Sequence, residues 1–540
     1  MKTLWKALMM VRRCDPASFF RRVLYVVLQS LLPLVNLYIL KLLIDRVTLA
    51  VQGVVPASVI LPWLAAMAGV FLLSRVVTAL GTVNADVLSQ KLIDYLNDLL
   101  QRQAARLDMS YYDTPSYHDT LHRAQQEASS RPVAVLTNFM ALFGSLISIL
   151  GVTAMLLTAS WWILPVMVVA LLPSFCVRLY KARSIYAFRR SNTQLYRRTS
   201  YYSQLLTSRQ SAAEMRTYRL APYFRLRYVD ARRRLVGRLL TISRRLGVAD
   251  ILCAVVEAVA MLAVVWLLVG QTVSAAITIG SFVMLFEAFR RGQGYLSSLV
   301  AAVAGLYDNR LFVGNLFEFL GLEPEVVSPE NPEPMPQRIE EIEFRDITFR
   351  YPDMERDVLS HFNLTARVGE VTRIDGRNGY GKSTLVKLLL RLYDPQQGTV
   401  LVNGIDIRRF RLDELRGTMG VLFQEFMHYC CTADENIAFG DIDHPEKETA
   451  RAAALAGVQP VIDGLPQKGG TQLGRLFDGG AELSMGQWQR MALARALHSD
   501  APVLLLDEPY AWLDSDARSH LHESIEALKK EKIILMITHA

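Results

Sequence analysis

The sequence predicts a multidomain fold: an all-α transmembrane domain of six helices with long cytoplasmic helical extensions, followed by an α/β P-loop domain. Three observations carry this. Of the 540 residues 51% are apolar, and they crowd the first three hundred positions. Beyond residue 340, short β-branched runs alternate with helical patterns, as an α/β domain requires. Between one such run and an apolar helix stands Gly376-Arg377-Asn378-Gly379-Tyr380-Gly381-Lys382-Ser383-Thr384, which has the spacing of a phosphate-binding loop. A chain of this length exceeds what one hydrophobic core supports, so at least two domains are expected. Its mean hydropathy of +0.21 is high for a soluble protein.

A bilayer core needs about 20 apolar residues in a helix. Val23 to Leu40 is uncharged and bracketed by Arg21–Arg22 and Lys41. Ser58 to Leu80 carries one charge, Arg75. Pro132 to Val177 is uncharged and too long for one span, so it reads as two that turn near Thr158–Trp162, with Trp161 and Trp162 in an interfacial belt. Gly247 to Val269 is a fifth candidate and Ile277 to Val303 a sixth. The expected organisation is a transmembrane domain over 1–322, with spans near 23–40, 58–80, 133–157, 161–177, 247–269 and 277–303. A Pro- and Glu-rich linker follows over 323–340 and an ATP-binding domain over 341–540. The cytoplasmic stretches, about 81–131 and 178–246, are too long for simple connectors. They read as helices running on from the membrane and reversing in short turns, with breaks at Pro115 and Pro222.

The formal charge of +8 does not point to nucleic acid. Lys2, Lys6, Arg12, Arg13, Arg21 and Arg22 lie before the first span, and arginines fill 178–245, including Arg232–Arg233–Arg234. The 3–4 turn and the loop Gly270 to Ala276 have neither Lys nor Arg. That asymmetry puts the N-terminus, the long loops and the ATP-binding domain in the cytoplasm of a multi-pass protein of the cytoplasmic membrane, touching anionic lipid headgroups. No partner nucleic acid is needed to explain the charge. The first apolar run is long enough to span, unlike a cleaved signal. Cys14, Cys176, Cys253, Cys430 and Cys431 show neither metal-ligand nor disulfide spacing.

In the phosphate loop, glycines let the backbone wrap the phosphates and the helix N-terminus faces the negative charge. Lys382 would reach the β- and γ-phosphates of ATP, and Ser383 would ligate Mg2+. Val503-Leu504-Leu505-Leu506-Asp507-Glu508 reads as a fully buried strand with acids at its C-terminal end, where parallel sheets bind ligands. Asp507 is placed to hold Mg2+ through water. Glu508 is placed as general base or as the residue orienting the attacking water.

Leu483-Ser484-Met485-Gly486-Gln487, followed by Trp488-Gln489-Arg490, resembles the signature motif of ATP-binding cassette (ABC) proteins. The resemblance covers the chain: spans, then one cassette, as in exporter-type half-transporters. It implies further roles. Tyr351 resembles the aromatic that stacks on adenine, and Gln424 the glutamine linking Mg2+ and water to the membrane domain. Asp514 resembles the dimer-contact aspartate, and His539 the histidine that contacts the γ-phosphate. With Gly376, Asn378, Gly379, Gly381, Lys382, Ser383 and Thr384, the family's ATP contacts carry over to Ser484, Gly486 and Gln487. The implied activity is ATP hydrolysis coupled to export. The implied partner is a second half-transporter, identical or different, so that each phosphate loop faces the other subunit's signature motif. Gly474 to Gly480 with Gln487-Trp488-Gln489 is similar to a bacterial group that includes lantibiotic-type peptide exporters, so the expected cargo is a peptide, otherwise a lipid or drug. An ATP-regulated sensor or channel and a truncated inactive subunit are the alternatives.

Some residues depart from the family pattern. Met485 replaces a glycine, and Arg373 and Asp375 stand on one face of a strand that is usually apolar. Asp375 would weaken ATP binding if unpaired. Glu257 in the fifth span and Glu287, Arg290 and Arg291 in the sixth are costly in lipid. They read either as pairs between helices or as a polar lining of the cargo path. The strand Ile533 to Ile537 leads to His539 and then only Ala540. On that pattern the cassette is expected to be incomplete at its C-terminus, with a bare strand, poor hydrolysis and aggregation on mild heating.

Overall fold

The computed structural model describes residues 2–114, 131–157, 163–352, 354–376, 381–444 and 447–538. So far as they are described, these residues form two compact units, one of 1–104 and 120–321, the other of 105–119 and 322–540.

The first unit is helical: α1 (Lys2–Cys14), α2 (Pro16–Val51) and α3 (Ile60–Arg106), then, after the short α4 (Met109–Asp113) of the second unit, α5 (Arg131–Leu157), α6 (Ile163–Ser191), α7 (Thr193–Thr207), α8 (Ala212–Thr217), α9 (Ala221–Val273) and α10 (Ile279–Leu320). Local chemistry sets the starts. Asp15 accepts from Ser18 N at 2.9 Å ahead of Pro16, and Thr278 accepts from Ser281 N at 3.1 Å. Pro222 falls in the first turn of α9, where its missing N–H costs nothing. With 53 residues, α9 is about 80 Å long at 1.5 Å per residue, so it continues well past a bilayer core. Among the described residues, four stretches are long and apolar enough to cross a membrane: Pro16–Val51, Ala57–Arg106, Pro132–Leu157 and Ala221–Val273. The span expected at 161–177 begins outside the described residues and continues on α6. That expected at 277–303 lies on α10, together with Glu287, Arg290 and Arg291. Helices α2 and α5 approach closely. A Cβ on Gly151 would lie 2.1 Å from Leu34 Cδ1, and Ser30 Oγ donates to Gly144 O at 3.1 Å. Leu72, Leu262 and Trp266 are left exposed, as lipid-facing side chains would be.

The described residues of the second unit form two sheets. Strands β1 (Glu341–Phe349), β2 (Leu359–Arg367), β3 (Val371–Asp375), β4 (Gln397–Val402), β5 (Ile405–Asp406), β6 (Met419–Leu422), β7 (Val503–Asp507) and β8 (Ile533–Thr538) are joined by α11 (Lys382–Leu389), α12 (Leu412–Gly417), α13 (Ala433–Ala438), α14 (Ala450–Leu455), α15 (Gln459–Asp463), α16 (Met485–His498) and α17 (Ser515–Leu528). One sheet is antiparallel, in order β2-β1-β4-β5, and the other parallel, in order β3-β8-β7-β6. All five residues of β7 are buried, which its unbroken apolar run anticipates for a strand covered on both faces. A first core gathers Phe344, Phe349 and Phe410 with Leu388 and Leu389 of α11. A second gathers Trp488, Met491 and Leu493 of α16 with Leu504 and Leu506 of β7.

The expectation of a bare last strand is corrected here. β8 lies inside the parallel sheet, paired with β3 on one side and β7 on the other, and Ile533 to Ile537 are all buried. Its backbone groups are used in the sheet. The two edges of that sheet are β3 and β6.

Part of the first long loop belongs to this second unit. Asp108 accepts from Glu325 N at 2.5 Å and from Val326 N at 3.2 Å, instead of capping α4. Tyr111 donates to Glu323 O at 2.9 Å, and the Tyr393 hydroxyl donates to Asp113. Burial pushes the Tyr393 phenol well above its ordinary value, and the Asp113 carboxylate adds to the rise.

Candidate functional site

The C-terminal ends of the four parallel strands converge on one edge, as doubly wound sheets present their ligand sites. β3 ends at Asp375 and runs into Gly376, β8 ends at Thr538, β7 at Asp507 with Glu508 next, and β6 at Leu422, two residues before Gln424. The expected site residues Gly376, Lys382, Asp507, Glu508 and Gln424 therefore come from separate strands to one edge.

Gly381 is the residue before α11 and has φ +78°. A Cβ there would meet the Val358 and Leu359 side chains at 2.9 Å, so both the backbone and the space require glycine. Lys382 opens the helix and is 8% exposed. Its Nζ donates to Gly376 O at 2.5 Å and to Thr538 O at 3.2 Å, which draws the loop and β8 together at the mouth of the site. Ser383 lies in the same first turn, half-buried, and Thr384 is buried. Asn378, Gly379 and His539 lie outside the described residues.

Asp507 is 4% exposed. Glu508 stands at φ +51°, left-handed backbone that a side-chain-bearing residue adopts only when its surroundings impose it. Its N–H donates to Ile537 O at 3.1 Å, and its Oε1 accepts from Gln424 Nε2 at 2.6 Å. Gln424 thus reaches the proposed base directly.

Asp375 accepts from the Thr538 hydroxyl across the β3–β8 pair, a neutral bond that holds the carboxylate in place without cancelling its charge. Arg373, on the same strand face, acts electrostatically on Tyr510 and Glu526.

Tyr351 follows β1. Its hydroxyl is 3.0 Å from Thr384 Oγ1, and its ring meets Phe349 at 5.0 Å and Tyr393 at 5.3 Å, both edge-on. Lys387 Nζ lies 5.2 Å from the ring centroid. An open hollow of about 370 Å³ is lined by Asp113, Thr114, Tyr351, Pro352, Met354 and Lys387. It has the aromatic and cationic lining that suits a purine. The sequence reading missed Tyr393, Lys387 and Asp113. Tyr393 stands in an unremarkable apolar stretch, and Asp113 lies 280 residues away in sequence.

Ser484, Gly486, Gln487 and Asp514 form a second group. Ser484 and Gln487 make a capping box on α16, with Ser484 N to Gln487 Oε1 at 2.9 Å and Gln487 N to Ser484 Oγ at 3.3 Å. Asp514 caps α17, accepting from Ala517 N at 2.8 Å. A Cβ on Gly486 would lie 2.4 Å from Trp512 O, so helix and loop touch backbone to backbone. Met485, at the departure from the family pattern, is exposed.

The four charges proposed for a cargo path lie in the first unit. Glu257 on α9 accepts from the Ser174 hydroxyl of α6. On α10, Glu287 pairs with Arg290 at 2.8 Å and Arg291 at 3.9 Å, so these three are matched within one helix.

Residues 359–511 match the ABC transporter family. The chain is 26% identical to the subtilin transport ATP-binding protein of Bacillus subtilis, over 100% of this chain and 88% of that protein. It is 35% identical to the ATP-dependent lipid A-core flippase of Syntrophus aciditrophicus, over 50% of this chain and 44% of that one. In fold it is similar to a bacterial Atm1-family ABC exporter with ATP bound, with a TM-score of 0.80, 20% identity, and coverage of 97% of this chain and 92% of that one. Residues 359–511 are thus an ABC transporter cassette with the phosphate loop and the signature sequence, in a chain that also has helices apolar enough to cross a membrane and that is similar end to end to a transport ATP-binding protein and in fold to an ABC exporter.

Proposed function

We propose that this half-transporter exports a peptide across the cytoplasmic membrane, working as a dimer in which two ATP sites form between cassettes. The observation that carries the chemistry is the convergence of Lys382, Asp507, Glu508 and Gln424 at one sheet edge, with Gln424 already bonded to Glu508. The peptide cargo rests on likeness along the whole chain to a subtilin transport protein. Likeness to a lipid A-core flippase, that of Alkalilimnicola ehrlichii, extends over 88% of the chain at 27% identity, so a lipid is the second reading.

In this reading ATP stacks on Tyr351, and its phosphates lie in the loop from Gly376 through Asn378, Gly379 and Gly381 to Thr384. Lys382 turns from the loop carbonyls to the β- and γ-phosphates. The oxygen donors fit Mg2+, a hard cation: the Ser383 hydroxyl, the Asp507 carboxylate through water, and the Gln424 amide oxygen, the nitrogen of that amide being on Glu508. Mg2+ when bound neutralises charge that develops on the β- and γ-oxygens. Glu508 orients the attacking water and accepts its proton. Ser484, Gly486 and Gln487 serve the γ-phosphate of the second subunit's ATP, Asp514 contacts that subunit, and His539 contacts the γ-phosphate of its own. Closing and reopening of the cassettes drive alternating access. The N-terminus and the cassette face the cytoplasm, beside anionic lipid. Glu257, Glu287, Arg290 and Arg291 either line the cargo path or serve as helix pairs, as their bonds to Ser174 and to one another favour.

The test uses the full chain in lipid vesicles. Glu508→Gln keeps ATP binding and lowers turnover by about a hundredfold or more, the scale of a lost general base. Lys382→Ala lowers ATP binding itself. Vesicles with outward-facing cassettes take up a lanthionine-bridged peptide when given ATP and Mg2+. Wild-type turnover in Glu508→Gln overturns the chemical reading. Uptake of a lipid with no uptake of peptide overturns the cargo.

A further inference from the structure

We propose that Gln489 is a positioning residue for hydrolysis, holding Glu508 in its left-handed turn by bonding the backbone on both arms of that turn. The inference rests on Glu508 as the residue that orients water.

Gln489 is 3% exposed, yet both ends of its amide are used. Its Nε2 donates to Glu508 O at 3.0 Å, and its Oε1 accepts from Trp512 N at 3.1 Å. The turn between these points is otherwise thinly held. Pro509 offers no N–H, Ala511 N donates to Glu508 O at 3.2 Å, and Leu513 N reaches Tyr510 O at 3.4 Å. On the other side, Glu508 N is fixed to Ile537 O of β8. Glu508 is therefore pinned at its nitrogen by the sheet and at its carbonyl by Gln489. With φ at +51°, the unaided backbone would relax towards ordinary right-handed or extended values and swing the side chain away from Gln424.

The anchor for this clamp is rigid. Gln489 rides on α16 between Trp488, 2% exposed, and Met491, 0% exposed, and the helix packs its apolar face into the second core. Gly486, one turn earlier, lies against Trp512 O. Helix and turn thus meet at Gly486 and at Gln489, and of these two Gln489 reaches the backbone of Glu508. A buried amide that bonds two main-chain groups four residues apart from a neighbouring helix has no freedom to move without moving both.

The test compares Gln489→Met, which keeps length and removes both bonds, with Gln489→Glu, which keeps the acceptor for Trp512 N and removes the donor for Glu508 O. Both are made in the full chain and measured for ATP binding, ATP turnover against ATP concentration, and melting temperature. Small misplacement of a reacting group costs up to about a hundredfold. The expected result is a kcat lowered by about tenfold to a hundredfold with the KM for ATP unchanged, and with the two variants alike in kcat even where their melting temperatures differ. Adding Glu508→Gln to either variant gives no further loss beyond Glu508→Gln alone. A kcat at the wild-type level in either folded, ATP-binding variant overturns the proposal, as does a kcat that falls only in proportion to lost ATP binding. If Glu508→Gln itself turns over normally, the reading of Glu508 fails instead, and the two failures are told apart by that one control.

Discussion

Replacing Gly486 by alanine tests how tightly the signature helix is locked to the loop after Glu508. The added Cβ would stand 2.4 Å from the Trp512 carbonyl oxygen. Ordinary contact between such atoms begins about 1 Å further out. The obstacle is backbone, so no rotamer change relieves it, and either the first turn of α16 or the chain at Trp512 must shift. Overpacking of this kind costs about 1–3 kcal/mol. A shift at Trp512 also pulls its N–H from Gln489 Oε1, now 3.1 Å away, and a lost neutral hydrogen bond adds about 1 kcal/mol. The sum, about 2–4 kcal/mol, corresponds to a fall in the cassette's melting temperature of about 5–15 °C for a domain of this size. Differential scanning of the detergent-purified protein measures it. Gly417→Ala, at a helical glycine with nothing within 4 Å of the added carbon, is the control and leaves the melting temperature unchanged or slightly raised. A Gly486→Ala protein that melts with the wild type refutes the close packing of helix and loop, and with it the argument that the two move together.

Two further outcomes follow from groups outside the phosphate site. Tyr393→Phe keeps the ring against Phe349 and Tyr351 but removes the hydroxyl that donates to Asp113. Amide exchange over residues 105–114 should quicken while ATP affinity stays as it is, and unchanged exchange there would mean that Asp108 and Tyr111 alone hold the segment. His498, 2% exposed, is kept below the ordinary histidine value first by burial and then by the Lys447 cation, against a smaller pull from Asp441 and Asp500. The unfolded chain therefore binds a proton below about pH 6.5 that the folded cassette refuses. Stability contributed by His498 is level above that pH and falls as the pH drops below it. His498→Asn should flatten that part of the profile, and an unaltered slope would assign it to other groups.

What the sequence made legible was whatever is written in consecutive residues. The phosphate loop needs glycine at Gly381 for reasons of backbone and space that the spacing already implies, and β7 announces itself by an apolar run ending in two acids. The signature sequence likewise carries its own capping box, Ser484 with Gln487, within four residues. What stayed hidden depends on partners far along the chain. The partner of Asp375, the Thr538 hydroxyl, could not be read because it arrives only when β8 inserts next to β3. The same insertion turned an apparent last, bare strand into the middle of a sheet, since pairing order is set by crossovers and not by chain order. Gln489 was visible as a letter of the signature sequence but not as a clamp. Its two bonds exist only because the turn after β7 folds back over α16, and that turn has its shape only because Glu508 is held left-handed. The residues that position the chemistry are therefore harder to read than those that perform it. A reacting side chain is constrained by its own chemistry, whereas a positioning side chain is constrained by where two other segments happen to meet.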